Sequence, residues 1–168
     1  MKIALIGTHG TGKTVLAHEL MVALKKQGKN AEFLGEIVRK NPMPINKKAT
    51  KESQEWVIYN QYVQELEMQN QCEILVCDRS VVHGYVYYYT AHGKNNFLES
   101  FVKEQSKKYH ALIRVPIKNG FLMDDGVREM DPSWQKKIDK SFNYILKNLE
   151  IPFVPYESLE QIIKTIPF

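Results

Sequence analysis

The sequence predicts an α/β fold, a parallel sheet of about five strands with helices on both faces. Two observations predict it. Short apolar runs recur along the whole chain, and the stretches between them carry a helical period. A third gives the sheet its direction, because a glycine-rich segment lies where the first run turns into the first helix. The 168 residues suit one domain, and no repeat, low-complexity stretch or linker divides them.

Ile3-Ala4-Leu5-Ile6, ending at Gly7, reads as a buried parallel strand. A helix follows over 13–27, with Leu16, Leu20, Val22 (or Ala23) and Leu24 expected inside and Gly28 just past its end. Ala31-Glu32-Phe33-Leu34 reads as the second strand. Residues 35–50, with Pro42, Pro44 and Asn46, read as a loop over the site with at most a helical turn. A long amphipathic helix is expected over 51–71, its apolar side made by Trp56, Tyr59, Val63, Leu66 and Met68. Ile74-Leu75-Val76-Cys77, ending on Asp78, is the third strand. An aromatic-rich stretch over 81–90 holds Tyr85, Tyr87, Tyr88 and Tyr89, and a helix follows over 97–108. Residues 111–117 read as a strand, 131–149 as a charged helix, 152–155 as a short last strand and 159–166 as a short last helix.

Gly7-Thr8-His9-Gly10-Thr11-Gly12-Lys13-Thr14 matches the pattern GxxxxGK[ST] in full. It follows a buried strand and opens a helix, as a phosphate-binding loop must. Its glycines let the backbone wrap closely, and its N–H groups meet phosphate at the positive end of the helix dipole. Lys13 is then expected on the β- and γ-phosphates and Thr14 on Mg²⁺, with Thr8, His9, Thr11 and Val15 completing the nucleotide site. The fold class narrows to a three-layer P-loop NTPase. Asp78 closes an apolar strand, which suits an acid that holds Mg²⁺ directly or through water; an ordinary helix N-cap is the other reading, and both can hold together.

Glu36 follows the second strand, at the sheet edge where ligands bind in such folds. A carboxylate there suits the proton of an acceptor hydroxyl, and a solvated loop Glu is the alternative. Arg39, three residues on, reads as a phosphate holder or a partner of Glu36. Arg79 suits phosphoryl oxygens or the acceptor. Asp124-Asp125-Gly126-Val127-Arg128 precedes a helix, and Arg128 suits a lid near 120–135 that closes on the triphosphate. Trp56, Tyr59, Tyr62 or Tyr85 offer a stacking surface for an acceptor base, with core packing favoured for Trp56 and Tyr59.

The net charge of +4 is spread along the chain in short pairs, which weighs against nucleic acid as the main ligand and fits a polyphosphate site. Cys72 and Cys77 make no metal or disulfide framework, and a reducing cytoplasm is expected. No stretch reads as a signal peptide or a membrane span. His9 reads as a loop filler and His110 as a strand-edge residue. Asn46-Lys47-Lys48-Ala49 lacks the acid of a guanine-reading Asn-Lys-x-Asp motif.

Together these residues resemble the NadR-type ribosylnicotinamide kinase domain and its relatives among P-loop AAA-like ATPases. The resemblance is carried by the Gly7–Thr14 loop, Leu34-Gly35-Glu36-Ile37-Val38-Arg39, and the helix with Gln54 and Gln61. The Asp78 strand, the Asp124–Arg128 segment and Ile151-Pro152-Phe153-Val154 complete it. Cys77-Asp78-Arg79-Ser80 is also similar to the acid–Arg–Ser motif of deoxynucleoside kinases. The resemblance implies ATP- and Mg²⁺-dependent phosphoryl transfer to a nucleoside-like or other small hydroxyl acceptor. It implies catalytic roles for Lys13, Asp78, Glu36, Arg79 and Arg128, and Mg²⁺ held by Thr14 and Asp78. The chain carries no segment like the adenylyltransferase domain or the DNA-binding segment that accompany some relatives. Its Tyr85–Tyr89 patch matches no nicotinamide-riboside pocket, so the acceptor stays open. A P-loop ATPase or GTP-binding switch without a small acceptor is the rival reading.

Overall fold

The computed structural model describes residues 1–118 and 129–166. Strands β1 (Lys2–Ile6), β2 (Ala31–Leu34), β3 (Ile74–Asp78), β4 (Ala111–Arg114) and β5 (Val154–Pro155) form one sheet in the order β2-β3-β1-β4-β5. All four neighbouring pairs are parallel. Helices α1 (Lys13–Lys26), α2 (Lys51–Gln69), α3 (Val81–His92), α4 (Asn96–Ser106), α5 (Pro132–Asn148) and α6 (Leu159–Thr165) cover it. Leu5 pairs with Asp78 and Ile6 with Arg114, so the loops after β1, β3 and β4 leave the same edge.

Alternation along the strands divides the core. Ile3, Leu5, Val76 and Ile113 face α1 and α6, while Ala4, Ile6, Leu75 and Leu112 face the layer of α2 to α5. These strands are buried on both faces, which is why their sequences read as unbroken apolar runs. Residues 35–50 form a loop with two 3₁₀ turns, Ile37–Lys40 and Asn46–Lys48. The aromatic-rich stretch is α3, capped by Ser80, whose hydroxyl accepts from the His83 N–H at 3.1 Å. It is apolar nearly all round because α2, α4 and α5 enclose it.

Two helix faces differ from expectation. On α1, Val22 points outward and Ala17 lies inside with Leu16, Leu20 and Leu24. On α2, Tyr59, Val63 and Leu66 are exposed, and the buried residues are Ser53, Gln54, Val57, Ile58, Gln61 and Glu65. Part of the inner face of α2 is polar because Glu65, bonded by Gln61, meets a buried cation, Lys2 of β1. Lys2 Nζ donates to Glu65 Oε2 at 2.8 Å, and both side chains are almost wholly buried.

Candidate nucleotide and acceptor site

The glycine-rich loop starts where β1 ends. Gly7 has φ +145°, and a Cβ there would stand 2.4 Å from the Val115 carbonyl oxygen and 2.9 Å from Arg114 Nη1. Only glycine lets β1 leave the sheet so close to β4. Gly12 is the N-cap of α1 at φ 82°, and no side chain caps the first turn. Uncapped N–H groups at the end of a 14-residue helix suit an anion. Lys13 curls into the loop, where its Nζ donates to the Thr8 carbonyl at 2.6 Å and to Thr11 Oγ1 at 3.2 Å.

The loop is braced from two helices. The His9 N–H donates to the Tyr87 hydroxyl at 3.0 Å, and His9 Nδ1 lies 3.0 Å from the same oxygen. Burial raises the Tyr87 pKa, so the hydroxyl stays protonated. From α5, Gln135 Nε2 donates to the His9 carbonyl at 2.8 Å, and the Gln135 carbonyl accepts from Thr8 Oγ1 at 3.1 Å. His9 is therefore a bracing point rather than a filler. Val15 sits at the start of α1 with its side chain exposed.

Thr14 Oγ1 donates to Asp78 Oδ2 at 2.5 Å. The N-cap of α3 is Ser80, so Asp78 keeps its carboxylate for the loop. Two hard oxygens side by side beside a phosphate loop are the donor set that Mg²⁺ takes. Arg79 follows at φ +91°, a left-handed conformation that costs a non-glycine residue about 1–2 kcal/mol. Its guanidinium pairs with Glu36 Oε1, and Arg39 Nε donates to Glu36 Oε2 at 2.8 Å. Both carboxylate oxygens of Glu36 are thus held by arginines.

A buried network supports the strained turn from behind. Tyr109 donates from its hydroxyl to Glu65 at 2.7 Å and accepts the Val81 N–H at 3.2 Å. Gln61 Nε2 donates to Glu65 Oε1 at 2.9 Å and faces the Arg79 carbonyl at 3.5 Å. The backbone on both sides of Ser80 is thereby tied to the Lys2–Glu65 pair. Burial and the Glu65 carboxylate push the Tyr109 pKa well up, so it remains a donor.

A cleft lies between this turn, the 35–50 loop and α3. Glu36, Arg39, Gln54, Arg79, His83 and Tyr87 line it, and His9 joins it to the phosphate loop. Its free volume is about 40 Å³. Tyr85, expected as a stacking surface, is not on this wall; it is buried, with its hydroxyl donating to Glu99 at 3.0 Å. Trp56 packs against the core, and Tyr59 and Tyr62 meet Phe101. The ring that reaches the cleft is Tyr87, two residues on. On the open side Lys47 Nζ donates to Asp131 Oδ2 at 2.6 Å, which ties the 35–50 loop to the N-cap of α5. Asp124, Asp125, Gly126 and Arg128 lie outside the described residues.

Arg114 was not legible as a site residue. It ends β4 level with Ile6, is buried, and pairs with Asp139 of α5 at 2.6 Å. Its Nη1 donates to the Val115 carbonyl at 2.9 Å, against Gly7. The one available signal was an arginine closing an apolar strand at the edge where Asp78 closes another.

Residues 2–161 match the family described as AAA domain. No curated protein matches the chain. Among solved structures, deoxyadenosine kinase from M. mycoides with bound dATP is similar at 17% identity and TM-score 0.65, over 99% of this chain and 97% of that one. The same enzyme with dCMP and a flexible dCDP gives 16% and 0.64, over 99% and 96%. NadR protein in complex with NR gives 18% and 0.69, over 94% of this chain and 45% of that one. At these identities the likeness is one of fold.

Proposed function

The chain belongs to the AAA domain family, and we propose that it is an ATP- and Mg²⁺-dependent phosphotransferase acting on a nucleoside-like or other small hydroxyl acceptor. One kinase-like domain, with a lid near residues 120–135, is the proposed unit. The observation that carries the reading is the cleft beside the phosphate loop, with a carboxylate and two arginines at its mouth. A second polar compartment beside the loop is what an acceptor would need. The molecules bound in the similar structures, dATP, dCMP, dCDP and NR, support the same choice.

In this reading residues 7–15 wrap the triphosphate. Lys13 turns from the Thr8 carbonyl onto the β- and γ-phosphates. Thr14 and Asp78 would hold Mg²⁺, which supplies neutralisation of charge on the phosphate oxygens. Glu36 accepts the proton of the acceptor hydroxyl as its oxygen bonds to the γ-phosphorus and ADP leaves. Arg79 keeps Glu36 oriented and faces the transferring group, and Arg128 closes from the lid. Catalysis is then alignment and charge compensation. A free volume of about 40 Å³ is far less than a nucleoside fills, so the 35–50 loop must yield to admit one. That narrowness is what favours the rival, an ATPase or GTP-binding switch without an acceptor.

The test is a screen of ATP and GTP against nucleosides, nucleotides and vitamin precursors, read by chromatography for a phosphorylated product. A product with at least one acceptor supports transfer; nucleotide hydrolysis at one rate throughout, with no product, sinks it. Among the described residues no helix is long and apolar enough to cross a membrane, and both cysteines are free thiols. A cytoplasmic enzyme that does not take nucleic acid is the reading we favour.

A further inference from the structure

His83 stands out among the cleft residues. It is 1% exposed, and neither ring nitrogen has a hydrogen-bond partner among the described residues. Buried polar atoms almost always find partners, and an orphaned pair needs a reason. Tyr87 stacks on the imidazole at 5.0 Å with the planes 9° apart, and Phe142 meets it at 5.3 Å and 71°. These contacts fix the ring, which forms part of the cleft wall beside Gly84 and Arg79. Gly84 in turn lets α3 lie close to α2, since a Cβ there would meet Ile58 Cγ1 at 2.7 Å.

We propose that His83 reads the acceptor, through a hydrogen bond from one ring nitrogen to an uncharged polar edge such as that of a heterocyclic base. This rests on the acceptor reading of the cleft and names what the cleft selects. Burial, then the nearby Arg79, Lys13 and Arg114 cations, hold the His83 pKa well below its ordinary value. A neutral imidazole carries one donor and one acceptor nitrogen, so by choice of tautomer a single ring nitrogen can meet either an amino group or a ring nitrogen of a base. Charge selects in the same direction. The lining holds two arginines against one carboxylate, so a cationic ring such as a pyridinium nucleoside is disfavoured.

The experiment measures binding of adenosine, cytidine and nicotinamide riboside by calorimetry, with a non-hydrolysable ATP analogue present, to the wild type, His83→Phe and His83→Gln. The expected result is binding of a neutral nucleoside in preference to the pyridinium one. His83→Phe keeps the ring packing and should weaken that binding about tenfold or more. Affinity for the ATP analogue stays unchanged. His83→Gln, with a donor and an acceptor on a planar amide, should recover part of the lost affinity. Equal nucleoside affinity in wild type and His83→Phe overturns the proposal, as does a wild type that binds neither neutral nucleoside. Equal losses in His83→Phe and His83→Gln overturn it too. Nucleoside binding that depends on His83, without phosphorylated product, leaves this inference standing and sinks the transferase reading instead.

Discussion

The phosphate loop draws eight consecutive residues, Gly7 to Thr14, into one ring made mostly of backbone groups. The cleft beside it takes Glu36 from one loop, Gln54 from α2, Arg79 from the end of β3, and His83 and Tyr87 from α3. The two regions share an edge of the sheet and touch at His9. They differ in what their chemistry needs. Phosphate is the same in every nucleotide, so backbone N–H groups and one lysine suffice. The acceptor of the proposed transfer would be particular, and its recognition would need side chains whose positions the whole fold sets.

Lys13→Ala breaks the first region outright. Nucleotide turnover should fall by about 10³-fold or more, measured by ADP release, while acceptor binding in the cleft survives. Lys2→Met strikes the support behind the second. It leaves Glu65 buried without its cation and should cost about 3–5 kcal/mol in denaturant unfolding. Nucleotide affinity should hold, whereas acceptor-dependent rate should drop as the Arg79 turn loosens. Glu36→Gln tests the boundary between them. Acceptor-dependent kcat should fall about 10²-fold with the affinity for an ATP analogue unchanged.

The contrast also explains what could be read in advance. The placement of the loop, Thr14 and Asp78 at one sheet edge was legible because a contiguous motif and a strand-ending acid carry their own context. The pairing of Arg39 with Glu36 was one of two readings open for that arginine, available because the pair is local. The inner face of α2 was not legible. Tyr59, Val63 and Leu66 form an apolar stripe, yet the helix turns Gln61 and Glu65 inward, because Glu65 answers a buried cation, Lys2, far away in sequence, and Gln61 bonds Glu65. In α3 the run of three tyrosines, Tyr87 to Tyr89, hides which ring faces the cleft. Each step turns the side chain by about 100°, and hydrophobicity alone does not choose among equals. Arg114 and His83 were invisible because their meaning lies in partners, or their lack, on other elements.

The smallest expected effect concerns pH. His83 is neutral when folded, with its pKa held well down by burial and by Arg79, Lys13, Arg114 and His9 around it. Unfolded, it titrates near 6.5. Below that pH the unfolded chain binds a proton that the folded chain refuses, so stability falls as pH falls. The contribution is about 1.4 kcal/mol per pH unit at most, and it should vanish in His83→Phe when the two unfolding curves are compared between pH 7 and pH 5.

Phosphoryl transfer requires the two regions to work on one molecule of nucleotide. A crystal structure with a non-hydrolysable ATP analogue and Mg²⁺ tests that most directly. It should place the β- and γ-phosphates on Lys13 and the first turn of α1, with the γ-phosphate turned toward Glu36 and Arg79. A triphosphate bound elsewhere, or a γ-phosphate turned away from the cleft, would contradict it.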